Sequence, residues 1–301
     1  MHSTALIYQI YYREEQKDHL DSAFVPYDNS ADKDPLLEFN VFRKLQSAHG
    51  EKQPPLWGAV SWKFGSKTGW SGEELYQFIA QHPGYDVYYC NPHPEFEALY
   101  PNFWMQGESA HPDFLRLSRE IFTYAQLPQE LLTTLYPSRA FASTNYFIAT
   151  PHFWNGYLSF VEEVLEKSLQ KVSSEVMALL YSSAADSKGV HANANYLPFI
   201  VERLFTIFLT TEFGRSCRGI KYALPAIDKK LNIHLHHLRQ MKDFACQHHS
   251  LWMASCWLNY RNLYLAQQHD RSWLVKYLLS VTPKKIEFLD FPHLFSDHSV
   301  P

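Results

Sequence analysis

The alternation of strand-like and helix-like segments in the first 150 residues is the feature that most restricts the fold of this chain. Short runs rich in β-branched and aromatic residues are separated by stretches with apolar residues at helical spacing. The first run, ALIYQIYY at 5–12, contains no Gly or Pro, which is typical of a buried strand. The alternation predicts an α/β fold with a single mixed, mostly parallel sheet flanked by helices.

The other elements follow from local signals. A capping box at Ser71 and Glu74 predicts that a helix begins there, because the two side chains satisfy each other's backbone N–H groups. Pro151 suits the first turn of a helix, where no N–H is needed. Further strands are predicted at 57–64, 85–90, 141–150 and 221–227, and further helices at 34–45 and 111–127.

Helical patterns dominate after residue 151, through 172–183, 199–213 and the long stretch 234–269. The tail from Pro283 carries three prolines and little periodicity, so we expect it to run over the surface as coil. The chain is therefore predicted to form an α/β domain over 1–228, with a helical C-terminal lobe and tail over 229–301 packed on it.

The charge balance argues against a nucleic-acid partner. The chain has 27 Lys and Arg against 31 Asp and Glu, a net charge of −4 and a pI near 6.5. No basic surplus is present to attract a phosphate backbone.

Cysteine usage and hydropathy indicate the cytoplasm. The four cysteines form no CxxC pair, which fits reduced thiols rather than a disulfide scaffold. The start of the chain lacks the basic region of a signal peptide. The longest apolar stretch, YLPFIVERLFTIFL, is interrupted by Glu202 and Arg203, so no transmembrane segment is predicted. Peripheral attachment to the inner face of the membrane is left open.

The segment GSKTG at 65–69 resembles a phosphate-binding P-loop but fails its pattern. That loop needs Gly directly before Lys and a second Gly five positions earlier. Here Ser66 stands before Lys67, and Ser61 occupies the earlier position. An ATPase of this type is therefore not expected.

Lys63 nevertheless lies at the end of a predicted strand and Lys67 in the loop after it, at the kind of edge where open α/β sheets bind ligands. Their ammonium groups could offset a diphosphate, and Gly65 and Gly69 would let backbone N–H groups approach it. The alternative is a solvated loop with two surface lysines.

The third predicted strand begins at Asp86 and is followed by Asn91, His93 and Glu95. The fourth is followed by Thr150, Pro151 and His152. If these strands are neighbours, the polar residues that follow them form one rim. Asp86 could instead simply begin its strand.

Two further segments contain residues that could take part in catalysis or ligand binding. Glu108 and His111 lie in NFWMQGESAHP, expected to be a loop, where either could accept a proton from an attacking hydroxyl. Ordinary capping of the following helix is the alternative. Glu202 and Arg203 interrupt an apolar helix, so they must form a structural ion pair or line a cavity.

The 16 histidines include HLHH at 234–237 and the pair His248 and His249, but no set with the spacing of a zinc site. No metal ligand is therefore assigned.

Several segments, taken in order, resemble a family of bacterial glycosyltransferases associated with capsule, O-antigen and exopolysaccharide genes. They are WKFGSKTG at 62–69, YDVYYCNPHPE at 85–95, WMQGESAHP at 104–112, STNYFIATPHFW at 143–154 and FIVERLF at 199–205. Each segment is weakly specific alone, and their order is more telling. The similarity spans roughly residues 5–210.

The resemblance implies a nucleotide-sugar glycosyltransferase of the single-sheet type A fold, which transfers a sugar to a hydroxyl of a growing glycan. On this basis Lys63, Lys67, Asp86 and Asn91 are assigned to the donor, and Glu108 or His111 to the catalytic base. The acceptor side would then hold Asn145, His152, Glu202 and Arg203.

The family's better-known members carry an Asp-x-Asp that binds a divalent metal, and the strand DVYYCN, where it would be expected, has Asp86 and Asn91 but no paired carboxylate. A metal cofactor is thus unsupported, and the expected ligands are a nucleotide sugar and a glycan acceptor. One alternative is a catalytically silent glycan-binding or nucleotide-sugar-binding assembly protein. Another is an interaction protein of a polysaccharide complex, which predicts exposed apolar patches over 230–280.

Overall fold

The computed structural model describes residues 5–142, 144–183, 195–292 and 296–297. The strands are β1 (Ala5–Tyr11), β2 (Val25–Asp28), β3 (Leu56–Ser61), β4 (Val87–Tyr89), β5 (Phe147–Ala149), β6 (Gly219–Lys221) and β7 (Ser296–Asp297). The first helices are α1 (Glu38–His49), α2 (Phe64–Thr68), α3 (Gly72–Gln81), α4 (Pro94–Leu99), α5 (Phe103–Ala110), α6 (Phe114–Ala125) and α7 (Pro151–Leu169). The later helices are α8 (Ser174–Leu180), α9 (Tyr196–Thr210), α10 (Glu212–Ser216), α11 (Pro225–Asp228), α12 (Ile233–His248), α13 (Leu251–Gln268) and α14 (Arg271–Trp273), and α14 continues into a π-helical turn, Leu274–Leu278.

All seven strands belong to one sheet, in the order β2-β1-β3-β5-β4-β6-β7. Every pairing between neighbours is parallel except the two made by β5, which runs antiparallel to both β3 and β4. The prediction of an α/β fold with a single mixed sheet is therefore confirmed.

The strands alternate their side chains between two apolar layers, as expected for a sheet covered on both faces. Trp57 and Phe147 point into the larger core beneath α1, α6, α7 and α9. Val60 and Ile148 point into a smaller core beneath α2 and α3. In the larger core the Trp57 and Trp154 rings stack with centroids 4.2 Å apart.

The helix starts that were predicted from local sequence signals are confirmed. Ser71 and Glu74 form the capping box at the start of α3, and α7 begins at Pro151 with the Thr150 side chain as its cap. Each predicted strand overlaps an observed one, although Phe147–Ala149 is much shorter than the predicted 141–150. Ser143, within that predicted strand, lies outside the described residues.

One local expectation is wrong, and two features of the fold were not predicted. NFWMQGESAHP is not a loop but contains helix α5, because the Asn102 side chain accepts a hydrogen bond from the Met105 N–H and caps it. The stretch 234–269 is two helices separated at His249, which adopts a left-handed conformation at φ 48°. Strand β2, at the edge of the sheet, was not predicted because VPYD contains a proline and has little apolar pattern.

Helices α12 and α13 pack on each other and on α4, and bury Leu238 and Trp257 in a third apolar cluster. A buried ion pair joins this lobe to the sheet, because Glu97 on α4 lies 2.6 Å from the Lys221 ammonium of β6 and 3.6 Å from Arg239 of α12. The tail is not only surface coil, since β7 pairs with β6 and extends the sheet. The sheet is thus not confined to residues 1–228.

The tight pairing of β3 with β5 gives a test of the fold. A Cβ at Gly58 would lie 2.5 Å from the Phe147 carbonyl oxygen and 3.1 Å from the Ile148 Cα. Because backbone atoms cannot yield without disrupting the sheet, we expect Gly58→Ala to destabilise the protein by about 3 kcal/mol or more. Urea unfolding of the purified variant measures this.

Gly65→Ala is the matched control. A Cβ there would lie 3.6 Å from its nearest neighbour, the Trp70 carbonyl oxygen, and the residue is helical. We expect a change of about 1 kcal/mol or less, and a stabilising one. Equal effects of the two substitutions would contradict the described register of β3 and β5.

Candidate functional site

A cavity of about 800 Å³ opens at the carboxyl ends of β1 and β3. Tyr12 and Arg13, which directly follow β1, line it together with Ser61, Trp62 and Lys63 at the end of β3. Because β2 lies on one side of β1 and β3 on the other, the strand order reverses at this point. Ligands of open α/β sheets bind in the crevice at such a reversal.

The reversed direction of β5 brings a further segment to the same cavity. Thr144, Asn145 and Tyr146 precede β5, so they lie at the edge where the parallel strands end. The residues that follow β5, including His152, lie at the opposite edge. The expected single rim is therefore wrong for this strand, because it required all the strands to run in parallel.

Lys63 and Lys67 both line the cavity. The segment that carries them is the short helix α2 and not a loop, because Gly69 adopts φ +71° and ends the helix. A Cβ at Gly69 would lie 3.0 Å from the Ala226 Cβ, so this glycine serves the helix end and its packing. No backbone cradle for phosphate is formed by Gly69.

The two ammonium groups have aromatic neighbours. The Nζ atom of Lys63 lies 5.1 Å from the Trp62 ring centroid, and that of Lys67 lies 5.8 Å from the Tyr146 ring centroid. Neither lies within 4.0 Å of a carboxylate oxygen in the described part of the chain. Burial, and next the charge of Lys67, lower the pKa of Lys63. An anion between these groups would relieve that repulsion.

Glu202, on α9, supplies a carboxyl group to the cavity. Its pKa is raised to about 7, mainly by burial and also by the nearby charge of Glu38, whereas Arg203, Lys67 and a hydrogen bond from the Asn145 backbone oppose the rise. Near neutral pH such a carboxyl group is about half ionised and can accept or donate a proton.

Arg203 is fixed as part of the cavity wall. Its guanidinium donates hydrogen bonds to the carbonyl oxygens of Phe103 and Phe199 and to Oε1 of Gln106, at 2.8–2.9 Å. Across the described residues it makes no salt bridge to Glu202 within 4.0 Å. Of the two sequence-based alternatives for this pair, the arrangement favours the wall of a cavity.

The two predicted base candidates are separated by the fold. His111 lines the cavity and stacks on Phe199 with ring centroids 4.4 Å apart. Glu108 is not among the residues that line it. Its Oε2 accepts the Leu115 N–H at 2.7 Å in the first turn of α6. The arrangement of Glu108 thus matches the capping alternative.

Three other predicted site residues lie away from the cavity lining. Asn91 is buried and donates to Oε1 of Glu97 at 2.7 Å. Asp86, at the opposite end of β4, accepts the Arg218 N–H at 2.8 Å. The His152 ring lies 4.8 Å from that of Phe213. Of the ten predicted residues, the cavity brings together Lys63, Lys67, His111, Asn145, Glu202 and Arg203.

Sequence reasoning missed several residues of the cavity. Arg13 and Tyr12 could have been found, because the strand-end rule applied to the second strand applies equally to the first. Glu38 and Thr144 carry no such signal. Glu38 lies within the helix predicted at 34–45, where a charged residue is ordinary, and Thr144 precedes a strand whose direction the sequence does not give.

Within the described ranges, no three His, Cys, Asp or Glu side chains are grouped so as to hold a metal ion. The same ranges contain no helix with the length and hydropathy needed to cross a bilayer. Protein-family models, curated proteins and solved structures give no match to this chain.

The raised pKa of Glu202 can be tested by measuring how the free energy of unfolding depends on pH. The folded protein keeps a proton that the unfolded chain releases above its ordinary pKa of 4.5, so this contribution to stability is lost as pH rises from 4.5 through about 7. The loss is at most about 1.4 kcal/mol per pH unit, and less where solvent reaches the carboxyl group. Glu202→Gln cannot titrate, so we expect its free energy of unfolding to fall less steeply between about pH 5 and pH 8.

Urea unfolding at both pH values measures the difference. Glu166→Gln, on the exposed face of α7, is the control and should keep the wild-type dependence. Identical pH dependence of the wild type and Glu202→Gln would show that Glu202 has an ordinary pKa.

Proposed function

We propose that this protein is a glycosyltransferase that moves a sugar from a nucleotide-diphospho-sugar to a hydroxyl of a cell-surface glycan precursor. The observation that carries the proposal is one cavity, at the reversal of strand order, that combines Lys63 and Lys67 with the carboxyl group of Glu202. A leaving diphosphate and an attacking hydroxyl require these two kinds of group in one site.

The fold is compatible with this activity. The described residues form a single mixed, mostly parallel sheet covered by helices, and this coarse architecture is one that a nucleotide-sugar enzyme can use. Fold alone does not specify a reaction. The proposal therefore depends on the side chains of the cavity.

In the proposed reaction the oxygen of the acceptor hydroxyl attacks the anomeric carbon of the donor sugar. The bond from that carbon to the phosphate oxygen breaks, and its electron pair leaves with the nucleoside diphosphate. Glu202, in its ionised form, takes the proton of the hydroxyl. Lys63 and Lys67 face the leaving diphosphate and offset its charge, which is the largest catalytic contribution we expect.

This assignment moves the base from Glu108 or His111 to Glu202. Glu202 lies in the cavity with a pKa near the working pH, whereas the carboxylate of Glu108 holds the N–H of Leu115. His111 also lines the cavity, and its stacking on Phe199 suits a role in shaping the acceptor side. Asn145 and Arg203 belong to the same proposed acceptor side. The donor is expected in the cytoplasm, where nucleotide sugars are made, with attachment to the inner membrane face left open.

A thermal-shift screen with UDP, GDP, CMP and their sugar conjugates tests the proposal, because a ligand that binds only the folded state raises the melting temperature. Stabilisation by a nucleotide sugar together with slow release of its sugar supports the enzyme. Stabilisation without turnover of the donor supports a silent binding protein. If no nucleotide stabilises the protein, the proposed function fails.

The helical lobe favours a second candidate, an interaction protein of a polysaccharide assembly. Several large apolar side chains between 230 and 280 are more than half exposed, among them Trp252 at 72%, Val275 at 75% and Leu279 at 81%. The interaction hypothesis predicts that such side chains form contiguous apolar patches. An absence of any nucleotide response in the screen would favour this candidate over the enzyme.

A further inference from the structure

The helical turns that follow α13 leave two large apolar side chains in solvent. Val275 is 75% exposed and Leu279 is 81% exposed, the two highest values for large apolar side chains in the part of the chain that the structure describes. They stand four residues apart, and Leu279 keeps helical backbone angles directly after the π-helical turn, so the two are neighbours on one face. Single exposed apolar residues are common, so the meaning of this pair depends on what surrounds it.

The residues around the pair are basic. Residues 271–286 include four basic side chains and no acidic one, although the whole chain has a net charge of −4. Arg271 and Lys276 are exposed with the same four-residue period as the apolar pair, and Lys284 and Lys285, also exposed, follow shortly after. One face of these turns, made by residues 271, 275, 276 and 279, therefore combines cations with apolar side chains.

Contacts on the other side hold the segment against the protein. Val281 is fully buried, and its carbonyl oxygen accepts a hydrogen bond from Nη2 of Arg261, on α13, at 2.8 Å. Nη1 of the same arginine donates to the Thr282 hydroxyl at 3.1 Å. The Trp273 ring stacks on His269, with centroids 3.8 Å apart. The outward direction of the basic and apolar face is therefore fixed by tertiary contacts.

The charge and size of this face favour a lipid surface over a protein partner. The core of a protein interface is depleted of charged residues, and a stable interface buries about 800 Å² on each partner. Two apolar side chains among cations match the pattern of interfacial segments instead. In those segments apolar side chains enter the headgroup region of a bilayer and basic side chains attract anionic lipids.

We propose that the face formed by Arg271, Val275, Lys276 and Leu279 docks on the anionic surface of a lipid bilayer. The two apolar side chains enter the headgroup region, and the two cations lie against lipid phosphates. The contact is peripheral, since only a few side chains enter the bilayer. The proposal goes beyond the reaction proposed above and does not depend on it, because none of these four residues lines the cavity.

Sedimentation of the full chain with sucrose-loaded vesicles tests the proposal. The probes are vesicles of phosphatidylcholine and phosphatidylglycerol in equal parts, and vesicles of phosphatidylcholine alone. Each basic side chain near an anionic surface contributes about fivefold in affinity. We therefore expect the wild type to bind the anionic vesicles at least about tenfold more tightly than the neutral ones. The difference should decrease as salt is added.

Leu279→Ser tests the apolar part of the face. We expect it to weaken binding to anionic vesicles about tenfold, because a leucine that enters the headgroup region loses its burial there. Leu251→Ser is the matched control, since Leu251 is 58% exposed and lies at the other end of α13, about 25 Å along the helix axis. Its binding should equal that of the wild type.

Arg271→Gln combined with Lys276→Gln tests the basic part. This double variant should bind anionic vesicles about tenfold more weakly or worse, with no change for neutral vesicles. Lys52→Gln combined with Lys171→Gln removes the same charge from exposed positions elsewhere and is the control. All the substituted side chains are exposed, so the melting temperatures should stay close to that of the wild type.

Several outcomes would overturn the proposal. They are no sedimentation of the wild type with anionic vesicles, equal binding to both kinds of vesicle, and equal losses in the variants and their controls. If light scattering instead shows self-association that Leu279→Ser abolishes, and no vesicle is bound, the face is a contact between copies of this chain. Vesicle binding without any nucleotide response would leave this proposal standing while the proposed function fails.

Discussion

Lys67→Ala is expected to weaken the binding of UDP or GDP at least tenfold. In the free protein the Lys63 and Lys67 ammonium groups lie in one cavity without an ion pair to a described carboxylate. A charge-assisted contact to phosphate is worth about 1.5–3 kcal/mol, which corresponds to tenfold or more in affinity. Titration calorimetry with the nucleoside diphosphate measures the loss, and we expect Lys63→Ala to act in the same direction.

The control for this test is Lys171→Ala, which removes an exposed lysine beyond the end of α7. Its affinity should equal that of the wild type. The wild-type affinity should also decrease as salt is added, since the attraction is electrostatic. Unchanged UDP or GDP affinity in Lys67→Ala would show that the diphosphate does not bind in this part of the cavity.

Glu202→Gln is expected to lower the rate of sugar transfer about 100-fold or more, with little change in donor affinity. The amide cannot accept a proton from the acceptor hydroxyl, and general-base catalysis contributes about this much to a rate. In the wild type the base is the ionised form, so the rate should rise about tenfold per pH unit below about 7 and level off above it. Turnover of a donor identified in the thermal-shift screen, followed from about pH 5 to pH 9, measures both effects.

Glu108→Gln separates the sequence-based assignment from the structural one. Because Glu108 holds the N–H of Leu115 at the start of α6, its substitution should affect stability more than turnover. If Glu108→Gln loses as much turnover as Glu202→Gln, or more, Glu108 is the catalytic base and the assignment to Glu202 is wrong.

The sequence alone identified the two lysines and the glutamate of the proposed mechanism as candidates, but not that they lie together. Lys63 ends the strand predicted at 57–64 and Lys67 follows it, and the rule that ligands bind where parallel strands end selected them. Glu202 was noticed because a charge inside an apolar helix needs a reason. The approach of Glu38, Lys63 and Lys67 to it was not predictable, since these residues come from segments more than 130 residues earlier in the chain.

The strand β5 shows why the remaining residues could not be assigned. The sequence NYFIAT predicts a buried strand but has no feature that fixes its direction. Had β5 been parallel to its neighbours, His152 would lie at the cavity edge and Thr144 at the opposite edge. Because β5 pairs antiparallel with β3 and β4, Thr144 lies at the cavity edge and His152 at the opposite edge.

The sequence by itself determined the α/β class and most of the elements, including the start of α3 at the Ser71 capping box and of α7 at Pro151. Hydrophobic periodicity, caps and proline geometry act within a few residues, so a local stretch of sequence contains them. Only the tertiary structure decided the strand order, the direction of β5 and the meeting of Lys63, Lys67, Thr144 and Glu202 in one cavity. These depend on which distant surfaces bury each other best, and that free energy belongs to the whole chain rather than to any segment of it.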